Sequence, residues 1–362
     1  MKTKAILLGL IFALIPSLNR AENGIKMVVG TYTDAGSKGL YSFSFDDSNG
    51  SAKELSSLKV DNPSYFTFSK NGRFIYAVSE KNNATAALNA ISFDPLKGNF
   101  GFMNSQLTHG ADPCYVDTDG KIALTANYSS GTISVFPILK NGTLDKSLLM
   151  VSSKKGGPNK TRQNTPHAHC AIFAPDGYIL STDFSGDRIL SFYYDKNKKK
   201  LEDHGIAAHL KAGSGPRHLT FSPNGKYAYL ISELSGKVTV YTYKEGKLKE
   251  IQTLVADDAH AQEGADIHVS PDGNFVYAST RLKGDGITIF RVNGNGTLTW
   301  VGKQSTGKHP RNFAITPNGK FLLVACRDAN KIQVFSRNKN TGLLKNTNQD
   351  IYLSHPVCIR FL

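Results

Sequence analysis

Gly215-Pro216-Arg217-His218-Leu219-Thr220-Phe221-Ser222-Pro223-Asn224-Gly225-Lys226-Tyr227-Ala228-Tyr229-Leu230-Ile231-Ser232-Glu233 decides how this chain folds. A proline opens a short run of alternating apolar and polar residues, Pro-Asn-Gly turns it, and a second apolar run returns. Asn-Gly between two such runs is a strong hairpin signal, because tight turns need residues that tolerate positive φ. Ser235-Gly236 turns the chain again, residues 238–243 supply a third strand, and Gly246 leads into a short outer fourth. Alternation with a period of two is what strands packed on both faces require. No segment carries a sustained 3.6-residue apolar stripe, so helix should be scarce.

The plan repeats. The first turn returns as Asn71-Gly72, Asp119-Gly120, Asp176-Gly177, Asp272-Gly273 and Asn318-Gly319. The outer turn runs into Leu55, Phe100, Leu144, Leu201, Leu248, Leu298 and Leu344, at successive spacings of 45, 44, 57, 47, 50 and 46 residues. Two interleaved series at such a period, with several short strands per unit, mark the blades of a β-propeller. The opening proline recurs at Pro63, Pro113, Pro166, Pro216, Pro310 and Pro356, with Ala265 in the fifth slot. That makes seven inner strands. The last, 356–361, lies at the C-terminus without the rest of its blade, which strands at 27–32 and 39–45 can supply. The expectation is an all-β, seven-bladed propeller with four antiparallel strands per blade, its last blade closed by N- and C-terminal strands. Such closure leaves no open seam.

Met1-Lys2-Thr3-Lys4 followed by an apolar run over 5–18 reads as a secretory signal, and the run is too short to span a membrane. Residues 1–21 are therefore assigned to a leader and 22–362 to one propeller domain of about 49 residues per blade. A periplasmic or secreted monomer follows, with no stable membrane insertion once the leader is removed. The net charge of +14 suits an anionic small molecule if part of the surplus lines the site. The 196–200 lysine stretch reads as a blade-edge turn, and no zinc-finger spacing or stacking motif points to nucleic acid. Cys114, Cys170, Cys326 and Cys358 sit in strand-like apolar contexts and read as small buried hydrophobes. No metal-ligand set and no cofactor motif is found, and the G-x-S-x-G, Walker, H-E-x-x-H and G-x-G-x-x-G patterns are absent. Asn141-Gly142-Thr143 and Asn295-Gly296-Thr297 coincide with repeat turns and read as hairpin chemistry.

Propellers bind ligands at the mouth of the central channel, and the repeat brings two positions per blade there. The start of the inner strand offers Ser64-Tyr65, Cys114-Tyr115, His167-Ala168-His169, Arg217-His218, Asp266 with His268, Arg311-Asn312 and Val357. The end of the second strand, eight residues past the turn glycine, offers Glu80, Tyr128, Glu233, Arg281 and Arg327, with Asp183 in the shorter blade. Arginine forks there can grip a carboxylate or phosphate, a neutral histidine can take a proton, and a glutamate can orient an arginine. His169, Arg217, Glu233 and Arg281 form the candidate catalytic cluster. His167, His218, His268, Arg311, Glu80 and Tyr128 are candidates for substrate binding. Either His167 or His169 could face the channel. The irregular stretches 152–165 and 257–264 are the candidates for specificity loops or lids.

Gly215-Pro216-Arg217-His218, Tyr227-Ala228-Tyr229, Ser232-Glu233-Leu234, Ala265-Asp266-Ile267-His268 and Ser270-Pro271-Asp272-Gly273 resemble the seven-bladed lactonases typified by the bacterial propeller-type 6-phosphogluconolactonases. The resemblance runs from Val29-Gly30-Thr31-Tyr32 to the last strand. It implies hydrolysis of a sugar lactone at the channel mouth, with a small anionic lactone as partner and His169, Arg217, Glu233 and Arg281 at the family's active-site positions. The same family includes carboxymuconate-lactonizing enzymes, so a cycloisomerase is the alternative enzymatic reading. A non-catalytic periplasmic binding propeller is the alternative outside catalysis. The leader departs from the cytosolic bacterial type and leaves open whether the lactone is phosphorylated.

Overall fold

Asn224-Gly225 turns the chain as its sequence requires, with Gly225 at φ +69°. The inner strand Pro216–Phe221 pairs antiparallel with Tyr227–Ser232, which pairs with Lys237–Lys244, which pairs with the outer Lys247–Val255. In this computed structural model, which describes residues 24–153, 156–195, 197–260 and 262–362, seven sheets repeat that order. The expected leader, 1–21, lies outside the described residues.

Six blades are formed from consecutive strands, and the seventh is assembled from both ends of the chain. Pro356–Phe361 is its innermost strand and pairs with Ile25–Thr31, followed outward by Gly39–Phe45 and Ala52–Lys59. One blade adds a short fifth strand, Ile351–Tyr352, and the first inner strand is trimmed to Phe66–Phe68. Among the described residues, helix amounts to two 3-10 turns, Leu282–Gly284 and Arg327–Ala329.

The outer turns do more than reverse the chain. Tyr76, Tyr229 and Tyr277 are fully buried and donate hydroxyl hydrogen bonds to the carbonyls of Gly142, Gly296 and Gly342 in the neighbouring blade, at 3.2, 3.1 and 2.8 Å. A Cβ on Gly296 would stand 2.3 Å from the Tyr227 ring, so this turn needs glycine for contact as well as for its φ of +81°. Thr143 and Thr297 donate to Asn141 and Asn295 at 2.7 and 2.6 Å within their turns, the hairpin role expected of both Asn-x-Thr triplets. All four cysteines are buried and unpaired.

Two slots differ from the repeat read in the sequence. Ala168 pairs with Asp183, and Gly264 with Thr280, as Pro216 does with Ser232. Ala168 and Gly264 therefore open their inner strands, not Pro166 and Ala265. A proline is useful at the first residue of a strand but not required there, and this let the register slip in blades that lack it.

Candidate active site

A β-bulge builds the channel lining. Pairing jumps from Pro216↔Ser232 to His218↔Ile231, leaving Arg217 outside the ladder. The same skip falls at Cys114, His169 and Arg311 and within the Gly264–Ile267 step. Bulges re-aim side chains, and here they set Ser64, Cys114, His169, Arg217, Ala265, Arg311 and Val357 at equivalent places around the axis. The next residues form a second tier: Tyr65, Tyr115, Cys170, His218, Asp266, Asn312 and Cys358. Ser64, Tyr65, Cys114, Arg217, His218, Arg311, Asn312 and Val357 enclose a central cavity of about 10 Å³, the size of one water molecule.

A rim stands above these tiers. The backbone N–H of the residue that follows each second strand donates to the carbonyl of the residue preceding the inner strand's opener. Glu233 bonds Gly215 at 2.8 Å, Arg281 bonds Glu263 at 3.1 Å, Arg327 bonds His309 at 3.0 Å, Glu80 bonds Asn62 at 3.1 Å and Tyr128 bonds Asp112 at 2.8 Å. Phe184 makes the same bond to His167 at 3.0 Å, and Tyr32 to His355 at 3.0 Å. The rim residue of the shorter blade is therefore Phe184 and not Asp183. Asp183 is buried and paired with Arg188 at 2.7 Å. Tyr32 completes the ring in the blade shared by the termini.

Glu233 is the centre of the charge cluster and is 2% exposed. Its Oε2 accepts from Arg217 Nη1 and lies 3.2 Å from Arg281 Nη2, while its Oε1 accepts from Arg162 Nη2. Burial alone would raise its pKa, but Arg217, Arg281 and Arg162 together hold the carboxyl well below the usual range. Arg281 also pairs with Glu263 at 2.5 Å and donates to His309 Nε2 at 3.3 Å. Burial and the neighbouring Arg217 lower Arg281 to about 10.

Arg217 Nη1 also meets His169 Nε2, and its Nε donates to the Ala265 carbonyl at 2.7 Å. Burial, then the adjacent Arg217, drives the His169 pKa well down, so its imidazole is neutral and Nε2 is taken as an acceptor. His169 is the histidine of this pair that reaches the cluster. His167 precedes the strand, stacks on Tyr128 at 4.2 Å, and spends Nδ1 on the Tyr128 carbonyl (3.0 Å) and Nε2 on Thr165 (3.1 Å).

The remaining predicted residues fall at different depths. Glu80 takes the hydroxyls of Ser64 and Tyr32, the latter at 3.1 Å. Arg311 lies over the Tyr32 ring at 5.5 Å and has no hydrogen-bond or ion-pair partner among the described residues. His218 belongs to the second tier, with Nδ1 2.8 Å from Asp266. His268 sits one level deeper, bonded to Asp266 at 2.9 Å and edge-on to Phe313, away from the rim. Sequence reasoning missed Arg162 and Tyr32 and gave Asp266 no role. The turn count that found Glu80 has no counterpart for Tyr32, whose blade is split between the termini. Nothing in an irregular loop marks Arg162.

A charged ring at the bulged inner end of a seven-bladed propeller defines a class of small-molecule enzyme and binding scaffolds, and the comparisons narrow it. Residues 26–361 match the model of the seven-bladed β-propeller lactonase family, and the chain belongs to that family. It is 35% identical over 345 residues to the 6-phosphogluconolactonase of Bacillus subtilis, covering 92% of this chain and 97% of that one. A Bacteroides uniformis protein provisionally called a 6-phosphogluconolactonase superposes with a TM-score of 0.91 at 55% identity, over 93% of this chain and 99% of its own. The periplasmic gluconolactonase of Pseudomonas aeruginosa superposes with a TM-score of 0.88 at 30% identity, again over 93% and 99%.

Proposed function

We propose that the protein hydrolyses a sugar lactone to its aldonic acid at the channel mouth, with an anionic group of the lactone held by Arg311. The observation that carries this is the contrast among the ring arginines. Arg217 is held by Glu233, His169 and the Ala265 carbonyl, and Arg281 by Glu233, Glu263 and His309, whereas the Arg311 guanidinium makes no hydrogen bond or ion pair among the described residues and lines the central cavity beside Arg217. A free guanidinium in a buried, cationic site is suited to bidentate capture of a phosphate or carboxylate.

Glu233 stays ionised and acts by orienting Arg217 and Arg281, whose charge stabilises the oxyanion that forms as the ester carbonyl is attacked. His169 fixes Arg217 by accepting from it. Proton donation by Glu233 and proton abstraction by His169, the simplest roles for these residues by type, both give way. One group is clamped as an anion and the other has its Nε2 occupied. Arg162, Glu263 and Tyr128 line the approach from the 152–165 side. Export to the periplasm is part of the same reading. It is supported by the leader-like N-terminus and by the periplasmic gluconolactonase among the relatives.

The test compares 6-phosphoglucono- and glucono-lactone opening by wild type and Arg311→Ala, with spontaneous hydrolysis subtracted. A phosphorylated-lactone preference that collapses in the variant is expected. A preference that survives Arg311→Ala would place the anion elsewhere. Turnover of a muconate lactone alone would move the assignment to the cycloisomerase branch.

A further inference from the structure

With His169 occupied, the site still needs a group to take the proton of the attacking water. Beneath the bulge tier, His218 is 4% exposed and lines the central cavity beside Arg217 and Arg311. Its Nδ1 is held by Asp266 Oδ1 at 2.8 Å, and its Nε2 is buried without a hydrogen-bond partner among the described residues. An orphaned buried nitrogen calls for an explanation, since such atoms are costly.

Asp266 is itself fixed. Its Oδ1 accepts from the Ile267 N–H at 3.0 Å, and its Oδ2 accepts from Asn312 Nδ2 at 2.5 Å and from His268 Nε2 at 2.9 Å. Asn312 is locked in turn by the Ile359 N–H at 2.7 Å. A carboxylate that only accepts must receive a proton from Nδ1, so His218 carries Nδ1–H and presents a lone pair at Nε2. Tyr65 and Tyr115 meet its ring edge-on at 5.7 and 5.2 Å, as does His169 at 5.2 Å, which fixes the imidazole plane. The central cavity that His218 lines beside Arg217 and Arg311 has a volume of about 10 Å³, close to what one water needs.

We propose that His218, oriented by Asp266, is the general base of the lactonase reaction, activating a water held in the central cavity. The inference rests on the lactonase reading above. As the water oxygen bonds to the lactone carbonyl carbon, one of its protons passes to His218 Nε2 and the carbonyl electrons move onto oxygen. Collapse of the tetrahedral intermediate breaks the ring C–O bond, and the leaving alkoxide takes the proton back from Nε2. The new carboxylic acid then ionises to solvent, and His218 returns neutral. Asp266 is a positioning residue in this scheme, holding the tautomer as buried carboxylates do beside catalytic imidazoles.

The experiment measures kcat and KM for 6-phosphogluconolactone in His218→Gln, Asp266→Asn and, for comparison, His169→Gln. Wild-type turnover is the control, and its absence would sink the lactonase reading rather than this inference. The expected result is a fall in kcat of roughly 10²- to 10⁴-fold in His218→Gln with KM little changed, and partial return of activity in His218→Gly with added imidazole. Folded His218→Gln with kcat close to wild type overturns the proposal. If these variants do not fold, ¹⁵N NMR of the wild-type protein decides. Nδ1–H with an unprotonated Nε2 supports the assignment, and the opposite tautomer overturns it.

Discussion

Arg162 and Glu233 are bonded across the channel mouth although 71 residues separate them in the chain. Arg217 and Arg281 hold the same carboxylate from inside the ring, so Arg162 ties the 156–165 stretch to the site from its more exposed side. Its side chain is 36% exposed, and Glu233 keeps two other cations when it is lost. Arg162→Ala should therefore change stability by no more than about 1 kcal/mol. On the lactonase reading it should raise KM more than it lowers kcat, because a cation beside the channel mouth is lost while Arg217 and Arg281 still hold Glu233. Steady-state kinetics with a denaturant titration check both halves. A large fall in kcat at unchanged KM would mean that Arg162 acts on the chemistry itself.

Glu233→Gln should be far more damaging. Three guanidiniums would be left around an uncharged amide, and breaking a buried ion pair by neutralising one partner costs about 3–5 kcal/mol. Both the unfolding midpoint and kcat/KM should drop, and Glu233→Asp should recover part of the stability. Retention of full activity by the glutamine variant would remove Glu233 from the account.

How much of this was legible beforehand depended on how strictly the repeat could be counted. Turn glycines such as Gly225 and Gly273 carry positive φ, so they mark the first hairpin of six blades in register, and closure of the seventh by 356–361 followed from the missing strands. Arg217, Glu233, Arg281 and His169 were reachable because they occupy repeat positions. Depth was not. A single bulge decides whether Arg217 or His218 points into the upper tier, and a bulge has no residue signature in these strands. The 176–184 blade is one residue short between its turn glycine and its rim, which moved the rim from Asp183 to Phe184. Long-range pairing of an irregular loop, as with Arg162, leaves no periodic trace.

Acid should unfold this protein in steps set by its buried histidines. Burial lowers His218 to about 4 and His309 to about 3, and drives His169 well below its ordinary range. Below about pH 6.5 the unfolded chain binds protons that these folded imidazoles refuse. Stability is therefore full above that pH and is lost as pH falls toward 4, with His218 alone contributing on the order of 3 kcal/mol. Denaturant midpoints measured across this window should decline steeply, and less steeply in His218→Gln. An unchanged midpoint down to about pH 4.5 would contradict the neutral, buried assignment.

Far from the channel, Gly296→Ala tests the blade latch. The new methyl would collide with the Tyr227 ring and take up a positive φ, both unfavourable. Destabilisation of about 1–3 kcal/mol is expected, with kcat and KM unaltered because the outer turn touches no ring residue. Thermal unfolding beside steady-state kinetics separates the two effects, and a kinetic change would show that the blade edge communicates with the site.

The central claim is that the arginine-lined ring opens a sugar lactone. Its most direct test is a pH-stat record of 6-phosphogluconolactone opening by wild type and by Arg217→Ala, each corrected for spontaneous hydrolysis. The account predicts strong acceleration by wild type and loss of most of it in the variant, whose folded state is verified in parallel. Acid release at the spontaneous rate with wild-type protein, or full activity without the Arg217 guanidinium, would contradict it.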